Sequence, residues 1–378
     1  MAPTNDLKPA WLAAAERELK GRTVKDLNHQ LAEGVRLSPV YARGEVSNTA
    51  RPAVERGWEI GEYLAAGPAA AVNAAALHAL EGGVEAPLFY LSHQPDRAEL
   101  AEMLRGVRAD FISLNCAPLY PGRDPAELFR DLVYYLRSEG YDLSKISGSV
   151  DFDPFLDWSE PPFPPLIRLL GFVNRYMPEF RVLQVNGRLF HDGNKQLVEE
   201  LALIIAKGAE YLQQVKESGM DPRIVNDHLQ FSVAVSGGYF PEIAKLRALR
   251  VLWANVQAGF GIQGGRMPTV AAHVQFPEDG DEPIGQLLLR ATTHAMAAAI
   301  GGADQIYVPS VDGDQPRGAR LARNVQHLLR LETDLAWVAD PAAGSYYIEA
   351  LTTQLVEAAW AQFRKIEEQG GFAGAVNI

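Results

Sequence analysis

Asp151 and Asp153 stand two residues apart just past an apolar run. Two carboxylates at that spacing on a strand end face the same side and could share acid–base work or hold a divalent cation. Pro154 follows at once, and the chain runs on into Trp158-Ser159-Glu160-Pro161-Pro162, which favours a solvated loop. No Asp-x-Asp-x-Asp-Gly calcium loop is completed. His93, His191 and His273 also follow or end apolar runs, but no His-x-x-x-His or His-Glu-x-x-His pair occurs, so no metal site is expected. His273 and Gln275 share one face of an extended segment. Both can donate to carbonyl or phosphate oxygens, so contact with a ligand stands level with an ordinary structural hydrogen-bonding role. Ser236-Gly237-Gly238-Tyr239 could turn backbone amides toward an anion or ribose, or could simply permit a tight turn. Cys116 is the single cysteine and has no histidine beside it, which argues against a catalytic thiol and rules out a disulfide framework. Glu242 to Arg250 (EIAKLRALR) carries acids and bases at helical spacing, the pattern of a partly solvated helix with surface pairs.

These residues need a frame to hold them. Short apolar runs recur at Leu88–Ser92, Phe111–Asn115, Ile146–Val150, Val182–Val185, Leu229–Val235, Val270–Val274, Gln305–Val308 and Ala336–Ala339. Helical patterns lie between them, among them Pro125–Ser138, Lys195–Glu217 and Gly285–Ile300, and a last helix spans Leu351–Gln369. Strands alternating with helices imply right-handed parallel crossovers. Eight such units over about 260 residues close most naturally into a (β/α)₈ TIM barrel. The first predicted strand is followed by His93-Gln94-Pro95, without the glycine-rich turn common in open doubly wound sheets. In a barrel the chemistry gathers at the C-terminal ends of the strands. That singles out Ser92 and His93, Asn115 and Cys116, Asp151 and Asp153, Asn186 to His191, Ser236 to Tyr239, His273 and Gln275, Ser310 and Asp312, and Asp340 to Tyr347.

Residues 1–87 read differently. Trp11–Lys20 is helical, Trp58–Leu64 alternates like a strand, and Ala69–Leu80 is a strong helix, but Pro39 and Pro52 interrupt the stretch between. This predicts an extended N-terminal arm at 1–87 and a barrel at 88–378. The 378-residue chain carries 35 Lys and Arg against 47 Asp and Glu, a net charge of −12, which excludes a general affinity for nucleic acid. No apolar run reaches membrane-spanning length and no signal peptide is evident, so a cytoplasmic protein is expected.

Several of these segments carry a family resemblance. Glu242–Trp253 (EIAKLRALRVLW), Ala322-Arg323-Asn324 with Gln326, and Asp340-Pro341 with Gly344–Leu351 (GSYYIEAL) resemble the barrel of methylmalonyl-CoA mutases. Trp11, Leu19-Lys20-Gly21, Gly34 and Pro39-Val40-Tyr41 resemble that family's N-terminal arm. The resemblance implies an adenosylcobalamin-dependent radical isomerase whose acyl-CoA threads the barrel, with the cofactor doing the chemistry and the protein positioning it. It also implies a cobalamin-binding domain with an Asp-x-His-x-x-Gly motif, which these 378 residues lack.

Departures fall where the resemblance implies catalysis. The family turn Gly-Tyr-His-Met-x-Glu-Ala-Gly is Gly187-Arg188-Leu189-Phe190-His191-Asp192-Gly193-Asn194 here, which places the carbonyl-binding histidine on Leu189. Leucine has no donor to assist a thioester. Gly-Thr-Ile-Gln-Asn-Asp is Gly148-Ser149-Val150-Asp151-Phe152-Asp153, placing the substrate glutamine on Asp151, which would repel an acidic acyl group. The substrate-pairing arginine has no clear counterpart before Pro161-Pro162, and the ribose-contacting asparagine falls on Gly238. His273 and Gln275 match the substrate-facing His-Cys-Gln, and Glu242 is kept as a cofactor contact.

The resemblance therefore implies a small (β) subunit without catalytic residues, inactive alone, that forms a heterodimer with a catalytic α subunit. Adenosylcobalamin would be bound mainly by that partner and the arm would wrap it. An active split mutase barrel using a separate cobalamin-binding protein, and a stand-alone acyl-CoA-binding barrel, are the alternatives.

Overall fold

The computed structural model describes residues 8–42, 44–46, 52, 56–120, 125–157, 163–193, 196–277, 282–313 and 316–375. The segment 158–162 and Asn194, which entered the readings above, lie outside the described residues.

The eight barrel strands are Glu59–Leu64, Ala86–Leu91, Ser113–Pro118, Ser147–Val150, a broken fifth strand of Phe180–Arg181 and Leu183–Asn186, then Leu229–Val235, Thr269–Val274 and Gln305–Tyr307. All neighbours pair in parallel, and the eighth strand returns to the first through Gln305↔Glu59 and Tyr307↔Gly61. The ring closes inside the fifth strand. Phe180–Arg181 pairs with the fourth strand and Leu183–Asn186 with the sixth. The N–H of Val182 between them donates to His228 O at 3.1 Å, and the ring of His228 holds Phe180 O at 2.6 Å through Nδ1. The (β/α)₈ barrel expected from the alternating pattern is the fold.

Two expectations for the strands are corrected. Trp58–Leu64, whose alternation fell within the arm segment, supplies the first barrel strand, so the barrel takes strand one from before residue 88. Ala336–Ala339 is not a strand: Leu335–Trp337 is a 3₁₀ turn with Trp337 70% exposed. A run of four apolar residues carries no information about which side is covered, and here neither face meets a neighbouring strand.

Odd-numbered strand residues such as Tyr63, Asn115, Ser149, His273 and Tyr307 point into the barrel, and so does Leu88 from the second strand. Residues of the other parity, such as Ile60, Leu114, Val150, Val274 and Ile306, with Phe89, face the helices. The period of two that makes a strand thus sorts a polar and aromatic lumen from an aliphatic outer core. Gly148, at φ +144°, is where the third and fourth strands press together: a Cβ there would lie 2.0 Å from Leu114 O. Only glycine fits that backbone and that gap.

Around the sheet lie helices Ala69–Glu81, Arg97–Met103, Pro125–Ser138, Phe163–Tyr176, Leu197–Glu217, Tyr239–Gly259, Ile284–Gly301 and Pro316–Leu331, with Tyr346–Glu368 packed across Tyr239–Gly259 and Leu197–Glu217. Before the barrel, helix Lys8–Glu18 buries no residue. The hairpin His29–Ala32 with Val35–Leu37 then docks on Tyr346–Glu368, with Val35 and Leu37 in the core and the Arg36 N–H donating to Gln354 Oε1 at 2.7 Å. Among the described residues no helix is long and apolar enough to cross a membrane.

Candidate functional site

Inward-pointing side chains fill the lumen. His273 stacks on Tyr307 with ring centroids 4.8 Å apart, and Tyr63 lies 5.9 Å from His273, 5.4 Å from Tyr307 and 5.7 Å from Tyr90. The Tyr63 hydroxyl bonds Nδ1 of His273 at 2.8 Å. Asn115 Nδ2 donates to the Tyr307 hydroxyl at 3.1 Å. Gly61 makes the Tyr307 position possible, since a Cβ at Gly61 would sit 2.5 Å from Tyr307 Cδ1. Leu88, Ala86, Ala117 and Ala271 pack around these rings. Below them Glu59 accepts from Ser113 at 2.8 Å and from Gln305 at 2.7 Å. His273 is 2% exposed, and burial, helped by the nearby Arg188 guanidinium, holds its pKa well below the ordinary value, so the ring is a neutral imidazole near pH 7.

Asp151 also turns into the lumen, where it accepts from Gln230 Nε2 at 2.8 Å and lies 3.4 Å from Ser149 Oγ. Burial pushes its pKa up to about 6, against the pull of Gln184 and Arg188. Asp153 goes elsewhere. It pairs with the buried Lys207 and accepts from the Tyr211 hydroxyl and, at 2.9 Å, from the Asn186 N–H. The solvated-loop reading of these two residues is therefore corrected: Asp153 is buried, Asp151 is half-buried among lumen groups, and they work in separate networks. Among the described residues no group of three His, Cys, Asp or Glu could hold a metal ion.

Leu189, where the family resemblance places a histidine, is 66% exposed at the mouth. His191 turns away into a buried cluster, with Nδ1 2.8 Å from Glu200 Oε2 and Nε2 2.7 Å from Ser236 Oγ. Lys245 sits in the same cluster, 3.0 Å from Glu200 and 2.8 Å from Glu242, and donates to Ala234 O at 2.7 Å. Burial opposes the charge on Glu200, but Lys245 and then His191 outweigh it and its pKa is lowered. Glu242 Oε1 accepts from the Gly237 N–H at 2.9 Å, so the carboxylate clamps the turn after the sixth strand.

The surface-pair reading of Glu242 to Arg250 is overturned as well. Glu242, Lys245, Arg247 and Arg250 are each under 5% exposed. Arg247 pairs with Glu349 at 3.0 Å and Arg250 with Asp304 at 3.0 Å. Helix Tyr346–Glu368 covers this face, and buried charges survive only when each is matched. Gln275, next to His273, is half-buried at the rim, its N–H donating to Val235 O at 3.1 Å. Cys116 is buried, which pushes its thiol up to about 12 and leaves it unreactive. His93 is exposed beside Glu99 at 3.2 Å.

The residues that sequence reasoning did not single out are Tyr63, Tyr90 and Tyr307; Arg188 fell within the strand-end stretch Asn186 to His191 but was given no role. The tyrosines all occupy inward strand positions or the strand ends beside them, the signal that could have found them. Arg188 lies close enough to Tyr63, Tyr90, Asp151 and His273 to bias all four electrostatically, and it hydrogen-bonds Tyr90.

A closed parallel barrel with its strand-end groups gathered at one mouth defines the α/β-barrel class in which ligand chemistry sits at the C-terminal face. Within that class the chain belongs to the methylmalonyl-CoA mutase family, whose model matches residues 122–378. It is 31% identical over 97% of its length to a methylmalonyl-CoA mutase small subunit of Porphyromonas gingivalis, covering 64% of that protein. It is 35% identical over 85% of its length to a probable methylmalonyl-CoA mutase small subunit of Mycobacterium tuberculosis, covering 54% of it. A methylmalonyl-CoA mutase of Escherichia coli is 25% identical over 97% of this chain and 59% of that protein. The chain thus spans between about half and two-thirds of the length of these relatives.

Proposed function

We propose that this chain acts as the small, non-catalytic barrel of an adenosylcobalamin-dependent methylmalonyl-CoA mutase in the cytoplasm, supporting a catalytic large subunit in a heterodimer. The observation that carries this reading is the filled lumen. The rings of Tyr63, His273 and Tyr307 occupy the space an acyl-CoA would need, and Leu189 stands at the mouth where the family resemblance calls for a donor.

In the holoenzyme, adenosylcobalamin supplies the radical chemistry, and it is carried mainly by the partner. The residues of this chain fit that cofactor only indirectly. Glu242 spends Oε1 on the Gly237 N–H and faces Lys245 with Oε2, so it reaches the cofactor by fixing the Ser236–Gly238 turn rather than by touching it. Gln275 at the rim and His273 beneath it mark where an acyl-CoA would meet the mouth. With Nδ1 of His273 taken by Tyr63 and no donor at Leu189, the thioester lacks the histidine assistance that the family resemblance ascribes to that position.

The test is reconstitution. The isolated chain with adenosylcobalamin and methylmalonyl-CoA should show no turnover. Co-expression with a complete large subunit should give a one-to-one complex that turns over. Leu189→His in the isolated chain should remain inactive, because the rings still fill the lumen. Turnover by the isolated chain, or clean separation of the two chains on size exclusion, refutes the reading.

A further inference from the structure

On the outside of the barrel, helices Pro125–Ser138 and Phe163–Tyr176 diverge around a cavity of about 430 Å³. That volume lies in the range of sites for small organic ligands. Its floor is apolar: Phe129, Val133 and Leu169 are buried there, and Phe172 sets its ring edge-on to Phe129 at 5.8 Å.

Its rim is cationic in a chain of net charge −12. Four arginines line it: Arg97, Arg130, Arg137 and Arg168. Asp131 pairs with Arg97 and Arg130, each at 3.1 Å, and Arg97 lies flat over Tyr134 at 4.0 Å, which fixes one wall. Arg137 and Arg168, one on each helix, have no acidic partner among the described residues.

We propose that this cavity binds a medium-chain fatty carboxylate, its chain laid on Phe129, Val133, Leu169 and Phe172 and its carboxylate held between Arg137 and Arg168. An apolar floor rewards burial of methylene groups, and two unpaired guanidiniums reward an anion through charge-assisted hydrogen bonds. A compact pocket between two helices suits a small amphiphile better than an extended partner helix, which needs a long groove. The site lies on the outer helical layer.

The experiment is calorimetric titration of the intact chain with decanoate, kept below its micelle concentration, and with decanol as the uncharged control. One saturable site per chain is expected, with decanol clearly weaker. Arg137→Ala with Arg168→Ala, both exposed positions, should weaken decanoate about tenfold while leaving the melting temperature in place. Ala126→Trp, which fills the cavity from the first turn of its helix, should abolish binding. Absence of a saturable site, equal binding of decanol, or undiminished binding by either variant overturns the proposal. Preferential binding of a helical Leu/Glu peptide overturns it in favour of a protein-docking groove.

Discussion

Replacing Asp151 by asparagine should change how the stability of this protein depends on pH. In the folded chain burial lifts the Asp151 carboxyl from its ordinary 3.8 to about 6. Between those values the folded state holds a proton that the unfolded state has released, so stability falls as pH rises through the window and levels off above about pH 6. A gap of about 2.2 pH units, at about 1.4 kcal/mol each, amounts to about 3 kcal/mol. The amide side chain of the variant cannot ionise, so the variant lacks this loss. Urea midpoints measured from pH 3 to pH 8 should show the wild type losing about 3 kcal/mol relative to Asp151→Asn between about pH 4 and pH 6, with a constant difference beyond. Other carboxylates titrate in both proteins and cancel in the difference. Parallel curves would refute the desolvated placement of Asp151, and a wild type that gains on the variant as pH rises would refute the sign.

Lys245→Met should destabilise by about 3–5 kcal/mol, because Glu200 and Glu242 are left buried without their cation. Pairing it with Glu200→Gln should recover part of that loss in a double-mutant cycle, and strict additivity of the two changes would dismiss the coupling. Gly61→Ala should cost about 1–3 kcal/mol as the new methyl group meets the Tyr307 ring, with an unshifted urea midpoint counting against a packed lumen. Removing residues 1–22 should leave the melting temperature nearly unchanged, since helix Lys8–Glu18 buries nothing, yet weaken the complex with a large subunit. Equal affinity with and without that segment on a sensor surface would show that it takes no part in pairing.

Much of the frame was legible in the sequence because helix and strand periods survive tertiary packing. The pattern delimits Pro125–Ser138 to the residue, and Leu229–Val235 likewise. The first strand was visible as the alternation of Trp58–Leu64, but the proline-broken chain before it drew it into the arm. Closing the ring requires a pairing partner for Gln305–Tyr307, and that partner lies 246 positions back, beyond the reach of any local pattern.

The site was less legible for the same reason. Acid and base at helical spacing look alike on a wet face and on a dry one. Partners far along the chain, Glu349 for Arg247 and Asp304 for Arg250, reveal that this face is dry. His191 and Leu189 are near neighbours in sequence, yet one is sealed against Glu200 and the other is open to water. The lumen was readable in principle, since Tyr63 and Tyr307 share the inward parity with His273.

The cationic face of helix Tyr239–Gly259 ties closure of the barrel to a helix made well after it. Lys245 is matched by an acid made early, Glu200, whereas Arg247 waits for Asp340 and Glu349. A nascent chain that has reached the seventh strand holds a helix it cannot yet bury without stranding a guanidinium in a dry interior. Such a chain stays loose and protease-sensitive until helix Tyr346–Glu368 has left the ribosome, so products stalled on a C-terminal linker that spans the exit tunnel, with the native part stopping before Asp340 or running past that helix, should differ sharply in resistance to limited digestion.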